Sequence, residues 1–275
     1  MSSEIINGPK TLLSIEGVDL WFGGTHALDD VTFDVRRGEV FGIIGPNGAG
    51  KSSLLNCVNG YYKPKSGRIL FKDRDLTSVR PHQVARLGVG RTFQNIELSP
   101  EATVIGNVML GRHLKIRSNA FTEMLHLPGA ARQERTSREY CEGILDLLGL
   151  GEFRDHPVSD LPYGRQKLVE LARALVTEPD LLLLDEPTAG MTGEERADVG
   201  RQLRKISAST DVTLVLIEHD TGFIRGITDR VAVLDFGKLI ALGTPDEVLE
   251  NPRVVEAYLG ASGNLVETLM ESLSD

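Results

Sequence analysis

The sequence predicts an α/β protein built on a parallel sheet with a phosphate-binding loop at its carboxyl edge, and three observations lead there. First, Gly45-Pro46-Asn47-Gly48-Ala49-Gly50-Lys51-Ser52 follows the apolar run Val40-Phe41-Gly42-Ile43-Ile44 and opens into Ser53-Leu54-Leu55, which is the order strand, glycine-rich turn, helix. Second, Leu181-Leu182-Leu183-Leu184 and Val212-Thr213-Leu214-Val215-Leu216-Ile217 are short apolar runs of the kind expected for central strands buried on both faces. Third, both runs end in acidic residues, and Asp185 and Glu186, which close the first, emerge at the sheet edge where open α/β folds bind ligands.

The elements follow in chain order. Leu13-Ser14-Ile15 and Val31-Thr32-Phe33-Asp34-Val35 alternate like strands, and the Arg37-Gly38 turn leads to the strand at Val40, so an antiparallel flap is expected ahead of the loop. A helix is expected from Lys51 to about Asn59, then strands at Arg68-Ile69-Leu70-Phe71 and Val89-Gly90-Arg91-Thr92-Phe93-Gln94. From about Asn95 to Val176 the periodicity is mostly helical, with one stripe at Tyr140, Ile144, Leu147 and Leu148 and another at Leu168, Leu171, Ala172 and Leu175. Near the end, Thr244-Pro245-Asp246-Glu247 and Asn251-Pro252 each put a capping residue before proline at the first helical position, predicting two short closing helices. Beyond Ser262, Leu265, Val266, Leu269, Met270 and Leu273 recur at helical spacing with Asn264 as cap and Glu267 three residues on. That final segment reads as an amphipathic helix or tail, either packed on its own domain or meeting a partner chain.

Composition bounds the function. At 275 residues, with 41% apolar and 25% charged residues, the chain can bury a full core. No apolar stretch approaches the ~18 residues needed to cross a bilayer, and the first ten residues carry no apolar core of a secretory signal. A soluble protein made in the cytoplasm is expected. Cys57 and Cys141 stand alone, without metal-ligand spacing, and read as reduced thiols in helices. A net charge of −9 argues against wide contact with DNA or RNA, so no nucleic-acid partner is expected. Locally, Arg112, Lys115, Arg117, Arg132, Arg135 and Arg138 outnumber Glu123, Glu134 and Glu139, a solvated helical face or a contact surface for protein or membrane.

The loop fixes the ligand class as a nucleoside triphosphate. Its glycines let backbone N–H groups converge on phosphate oxygens, the following helix adds its positive end, Lys51 reaches the β- and γ-phosphates, and Ser52 suits a magnesium ligand. Asp185 suits the same magnesium, while Glu186, one position on, suits polarising an attacking water in line with the γ-phosphate. Gln94 and His219 supply two more polar groups at strand ends; taken alone, each reads equally as a surface residue.

With Leu161-Pro162-Tyr163-Gly164-Arg165-Gln166 between the helical insertion and the acidic strand, the chain resembles the ABC ATPase family over roughly residues 12–259. The order matches: residues 45–52 as Walker A, Gln94 as Q-loop, residues 161–166 in the signature position, residues 181–186 as Walker B, and His219 as switch histidine. The resemblance implies a RecA-like core with an antiparallel β subdomain and an inserted helical subdomain at about 95–178, the whole domain spanning 11–260 before a tail at 261–275. It implies ATP and Mg²⁺ as ligands. Gly45, Pro46, Asn47, Gly48, Ala49, Gly50, Lys51, Ser52 and Ser53 would cradle the phosphates, Phe22 would stack on adenine beside Trp21, and Gly164 would meet the nucleotide held by a second subunit. Ser52, Gln94 and Asp185 would hold the metal, and Glu186, His219 and Gln94 would carry the catalytic step.

Two departures stand out. Pro162 replaces the signature serine and has neither hydroxyl nor N–H, so one contact to the γ-phosphate is missing, and losing one such donor costs ~10²-fold in rate. Slow hydrolysis is therefore expected unless Arg165, which replaces the signature glutamine, points inward and adds charge-assisted contact. Thr192 stands where many members carry the D-loop aspartate, which bears on coupling between the two sites.

Within the family, Arg91-Thr92-Phe93-Gln94-Asn95-Ile96-Glu97-Leu98, the basic insertion and Asn251-Pro252-Arg253-Val254-Val255-Glu256-Ala257-Tyr258-Leu259-Gly260 resemble the LivG-type subunit of branched-chain amino acid importers. That resemblance implies two membrane-spanning permease subunits, a second ATPase subunit that is either another copy or a LivF-like relative, an indirect solute-binding protein, and a peripheral place on the cytoplasmic face of the inner membrane. ATPases of urea, amide or aromatic-acid uptake and of lipopolysaccharide export look similar. The competing classes are a non-transport ABC protein and a P-loop kinase or GTPase; the second makes Gln94, Gly164 and His219 coincidences.

Overall fold

The computed structural model describes residues 10–92, 97–115 and 128–261, apart from the side chains at 113–115, 128–132 and 260–261. Two sheets organise the chain. β1 (Thr11–Phe22) and β2 (Thr25–Arg36) form an antiparallel hairpin, joined by β4 (Ser66–Phe71) and β5 (Arg74–Asp75) in the order β2-β1-β4-β5. The expected flap is present and longer than its alternating cores suggested. Bulges within the β1–β2 ladder interrupt the period of two that sequence reading relies on.

The second sheet has the order β10-β9-β3-β8-β7-β6, from β3 (Val40–Ile44), β6 (Val89–Thr92), β7 (Leu181–Asp185), β8 (Thr213–Ile217), β9 (Arg230–Asp235) and β10 (Lys238–Gly243). All its pairings are parallel except β9 with β10. The apolar runs at 181–184 and 212–217 are its central strands, with every residue of β3, β7 and β8 buried. Alternate side chains face two cores. Ile44, Leu182, Leu184, Leu214 and Leu216 pack with the helical part of the chain, while Phe41, Ile43, Leu181, Leu183, Val215 and Ile217 pack under the hairpin sheet. This double burial is why these strands are continuous apolar runs.

Among the described residues, α1 (Lys51–Val58) and α2 (Pro81–Arg86) are followed by α3 (Val104–Lys115), α4 (Pro128–Leu147) and α5 (Tyr163–Leu175), then α6 (Gly193–Ser209), α7 (Thr221–Ile227), α8 (Pro245–Leu249) and α9 (Pro252–Ala261). The expected stripe on α5 is buried as read. On α4 it is rotated: Ser137, Cys141, Leu145 and Leu148 are buried, while Tyr140, Ile144 and Leu147 flank them. Small Ser137 and Cys141 carry little hydropathy, so the larger flanking side chains dominated the periodicity.

Both cysteines lie in helices, buried and unpaired, and burial pushes the Cys57 thiol up to about 12. Both closing helices form. Thr244 accepts from the Glu247 amide, and Asn251 Oδ1 accepts from the Arg253 amide at 3.0 Å. Residues 262–275, and with them the predicted terminal helix, lie outside the described residues. No described helix is long and apolar enough to cross a membrane.

Candidate nucleotide-binding and hydrolysis site

The phosphate loop is squeezed between β9 and β2, which explains two of its glycines. A Cβ on Gly45 (φ +146°) would lie 2.0 Å from the Leu234 carbonyl oxygen, and one on Gly50 (φ +99°) would lie 2.5 Å from that of Ala27. Any side chain at either position collides with backbone. The loop leaves Asn47, Gly48 and Ser52 exposed, buries Pro46 and Ala49, and half-buries Ser53.

At the mouth of the loop begins α1. Gly50 caps it without a side-chain hydrogen bond, and no acidic residue sits in its first turn, so no side chain of that turn offsets the partial positive charge of its amides. Lys51 donates from Nζ to the carbonyl oxygens of Gly45 (2.6 Å) and Pro46 (2.9 Å). Burial lowers its pKa, against the raising influence of Glu186 and Asp185. Backbone donors, a cation and an exposed hydroxyl on one turn form a donor set that fits a polyphosphate and a hard divalent cation.

The parallel order places the acids beside this loop. β8 lies between β3 and β7, and Ile217 is in register with Ile43 on one side and Asp185 on the other. Asp185 ends β7 and is gripped by Arg91 of β6, whose Nη2 lies 2.9 Å from Oδ2 while its Nη1 reaches Asn56 Oδ1 of α1 at 2.6 Å. Arg91 thus ties the carboxylate to the helix that opens at the phosphate loop. Its role was not legible in the sequence, because its partners lie 94 and 35 positions away.

Glu186 turns out of the strand at φ +51°, a conformation that costs a non-glycine residue about 1–3 kcal/mol and concentrates at functional sites. Its amide donates to Ile217 O at 3.0 Å, and its Oε1 lies 2.7 Å from His219 Nε2. The two strand-end residues singled out in the sequence are hydrogen-bonded to each other. Behind them is a group the sequence reading missed. Glu218 is buried, accepts from Thr188 N (2.9 Å) and Thr188 Oγ1 (2.7 Å), and burial raises its pKa although those bonds oppose the rise. It binds the segment after Glu186 to the segment carrying His219. Its one sequence signal was an acid at the end of a buried strand.

Phe22 ends β1, is 44% exposed, and meets the Tyr62 ring edge-on at 5.0 Å. Trp21 instead stacks on His26 at 4.0 Å. Gln94, with its expected metal-holding and catalytic roles, lies outside the described residues.

In the signature segment, Pro162 caps α5 without a side-chain bond, as its lack of a hydroxyl requires. Arg165 does not supply the compensating charge anticipated for it. Its guanidinium stacks on Phe153 at 4.3 Å and reaches Gly149 O at 3.3 Å, because the aromatic face and free carbonyl of the helical part offer it packing and a hydrogen bond. The Gly164 amide donates to Glu195 Oε1 at 3.2 Å, and Thr192 caps α6 in a reciprocal box with the same glutamate.

Comparison with known proteins agrees with this geometry. A family model described as ABC transporter matches residues 28–189, and a second, described as branched-chain amino acid ATP-binding cassette transporter, matches residues 238–263. The high-affinity branched-chain amino acid transport ATP-binding protein LivG of Escherichia coli is 38% identical over 251 residues, covering 91% of this chain and 98% of that protein. BraF of Pseudomonas aeruginosa, of the same printed description, is 36% identical over the same shares. Among solved structures, an ATP-binding cassette of an ABC transporter in its ADP conformation superposes with a TM-score of 0.80 at 33% identity, covering 91% of this chain and 99% of its own. A dimeric cassette bound to ADP and Pi superposes at 0.68 with 25% identity, covering 85% of this chain and 99% of its own. With a family model spanning more than half the sequence, and relatives alike along nine-tenths of it, the chain belongs to the ATP-binding proteins of the ABC transporter family.

Proposed function

We propose that this protein is the ATP-hydrolysing subunit of an importer of branched-chain amino acids or related polar solutes, working as one half of an ATP-closed dimer beneath two permease subunits on the cytoplasmic face of the membrane. The observation that carries the reading is the Glu186–His219 contact at 2.7 Å, at the sheet edge shared with the Lys51 loop. The solute class is supported by the match of residues 238–263 to the branched-chain transporter model and by the printed descriptions of LivG and BraF.

Each residue's part follows from its chemistry. The amides at the start of α1 receive the triphosphate, and Lys51 exchanges the Gly45 and Pro46 carbonyls for β- and γ-phosphate oxygens. Ser52 and Asp185, with Gln94 from the sequence reading, would hold Mg²⁺, which would supply positive charge against the charge developing on the phosphate. Arg91 keeps Asp185 from swinging away. Glu186 aligns and polarises the attacking water, and His219 holds the carboxylate in place and senses the γ-phosphate. Phe22 offers its exposed face to adenine. Gly164 of a second ATPase subunit, a copy of this chain or a LivF-like relative, completes each site, an arrangement supported by the dimeric cassette that shares the fold. ATP then shifts an open–closed equilibrium by contacts that only the closed state completes.

The reading is tested by expressing tagged protein with the permease genes of its transport system and measuring leucine uptake into vesicles. Copurification with the permeases and ATP-dependent uptake abolished by Glu186→Gln are expected. A wholly soluble protein, with uptake indifferent to Glu186, overturns it.

A further inference from the structure

The signature amide is already in use within the chain. Gly164 N–H donates to Glu195 Oε1 at 3.2 Å, and the methylene groups of Glu195 pack so closely that a Cβ on Gly164 would lie 3.2 Å from its Cβ and Cγ. The other carboxylate oxygen of Glu195 accepts from Thr192 N and Thr192 Oγ1, both at 3.0 Å. One side chain thereby joins the signature segment to the loop that follows Glu186. The three donors hold its carboxyl below the ordinary carboxylate range, the Thr192 amide foremost, so it is fully charged at neutral pH.

An N–H donates fully to one acceptor at a time, and a carboxylate beside a triphosphate is repelled by it. We propose that Glu195 is a positioning residue that acts as a latch on dimer closure: its carboxylate holds the Gly164 amide in the resting chain and must yield that donor before the signature can engage the nucleotide on the facing subunit. The proposal rests on the dimer reading above and adds to it a cis competitor for the trans contact. Because Pro162 offers no hydroxyl, the Gly164 amide is a larger share of what the signature can donate, and its occupancy weighs correspondingly more.

The experiment uses the full chain carrying Glu186→Gln, titrated with Mg-ATP and read as the monomer–dimer midpoint by analytical ultracentrifugation. Into it are introduced Glu195→Gln, which keeps the shape and removes the charge, and separately Thr192→Ala, which removes the helix cap hydroxyl but leaves the carboxylate facing Gly164. Removing one like charge near the triphosphate is expected to lower the ATP concentration at the midpoint about tenfold in Glu195→Gln. Thr192→Ala should lower the melting temperature and leave the midpoint within about twofold. A midpoint unchanged or raised in Glu195→Gln, or lowered equally in Thr192→Ala, overturns the latch. If Glu186→Gln stays monomeric at millimolar ATP both alone and mixed with a LivF-like partner subunit, it is the dimer reading that fails, and the latch falls with it.

Discussion

His219 Nε2 and Glu186 Oε1 lie 2.7 Å apart, though 33 positions separate the two residues in the chain. Neither neighbours the other in sequence; strands β7 and β8 bring them together by running parallel and side by side. A contact so short would let the two groups act as one unit in the proposed hydrolysis.

Single and double substitutions test that unity. Glu186→Gln is expected to reduce ATP turnover about 10²–10⁴-fold, and His219→Ala about 10²-fold. The double variant should be no more than about threefold worse than Glu186→Gln alone, since residues acting as a unit are not additive. Steady-state phosphate release decides it, and full additivity would assign the two residues separate tasks.

Arg91 offers a stability test tied to the ligand. Arg91→Ala leaves the nearly buried Asp185 carboxylate and Asn56 without their shared partner, and breaking such a pair costs about 3–5 kcal/mol. Urea unfolding should show that loss in the absence of ligand, and Asn56→Ala should cost only about 1 kcal/mol. Mg-ATP, by giving Asp185 a cation, is expected to shrink the gap between Arg91→Ala and the parent. An unchanged gap would separate Asp185 from the metal.

Glu218 predicts a pH dependence of stability. Its folded pKa is raised by burial above the ordinary 4.5, so between those two values the native state holds a proton that the unfolded chain has released. Stability from this group is full below about pH 4.5 and declines as pH climbs through the raised folded value. Glu218→Gln keeps an acceptor for Thr188 and abolishes that share of the decline. Urea midpoints measured from pH 4.5 to 8 should therefore favour the variant increasingly as pH rises; a constant difference would mean that Glu218 does not titrate in that range.

The loop glycines are predicted to differ. Gly45→Ala drives a methyl into the Leu234 carbonyl and should cost more than about 3 kcal/mol and abolish nucleotide binding. Gly48→Ala meets no atom within 4 Å and has only its φ of +83° to bear, a cost of about 1–3 kcal/mol. Thermal melts and fluorescent-nucleotide titrations of both variants separate collision from backbone strain.

Much of this molecule was written locally. The phosphate loop, the buried strands at β7 and β8, the stripe of α5 and the capped closing helices are consequences of neighbours within a few positions, where period, glycine and cap chemistry act. The family order of motifs singles out Lys51, Asp185, Glu186 and His219 in the sequence itself. Tertiary structure alone decided which groups meet: Arg91 with Asp185 and Asn56, Glu218 with Thr188, Glu195 with Gly164, and Arg165 with the Phe153 ring. These partners sit from 12 to 94 positions apart or compete for one donor, and a one-dimensional pattern carries no term for such choices. They are settled only when strand order and helix packing set the distances, and the polar groups caught between must each find an acceptor or a donor.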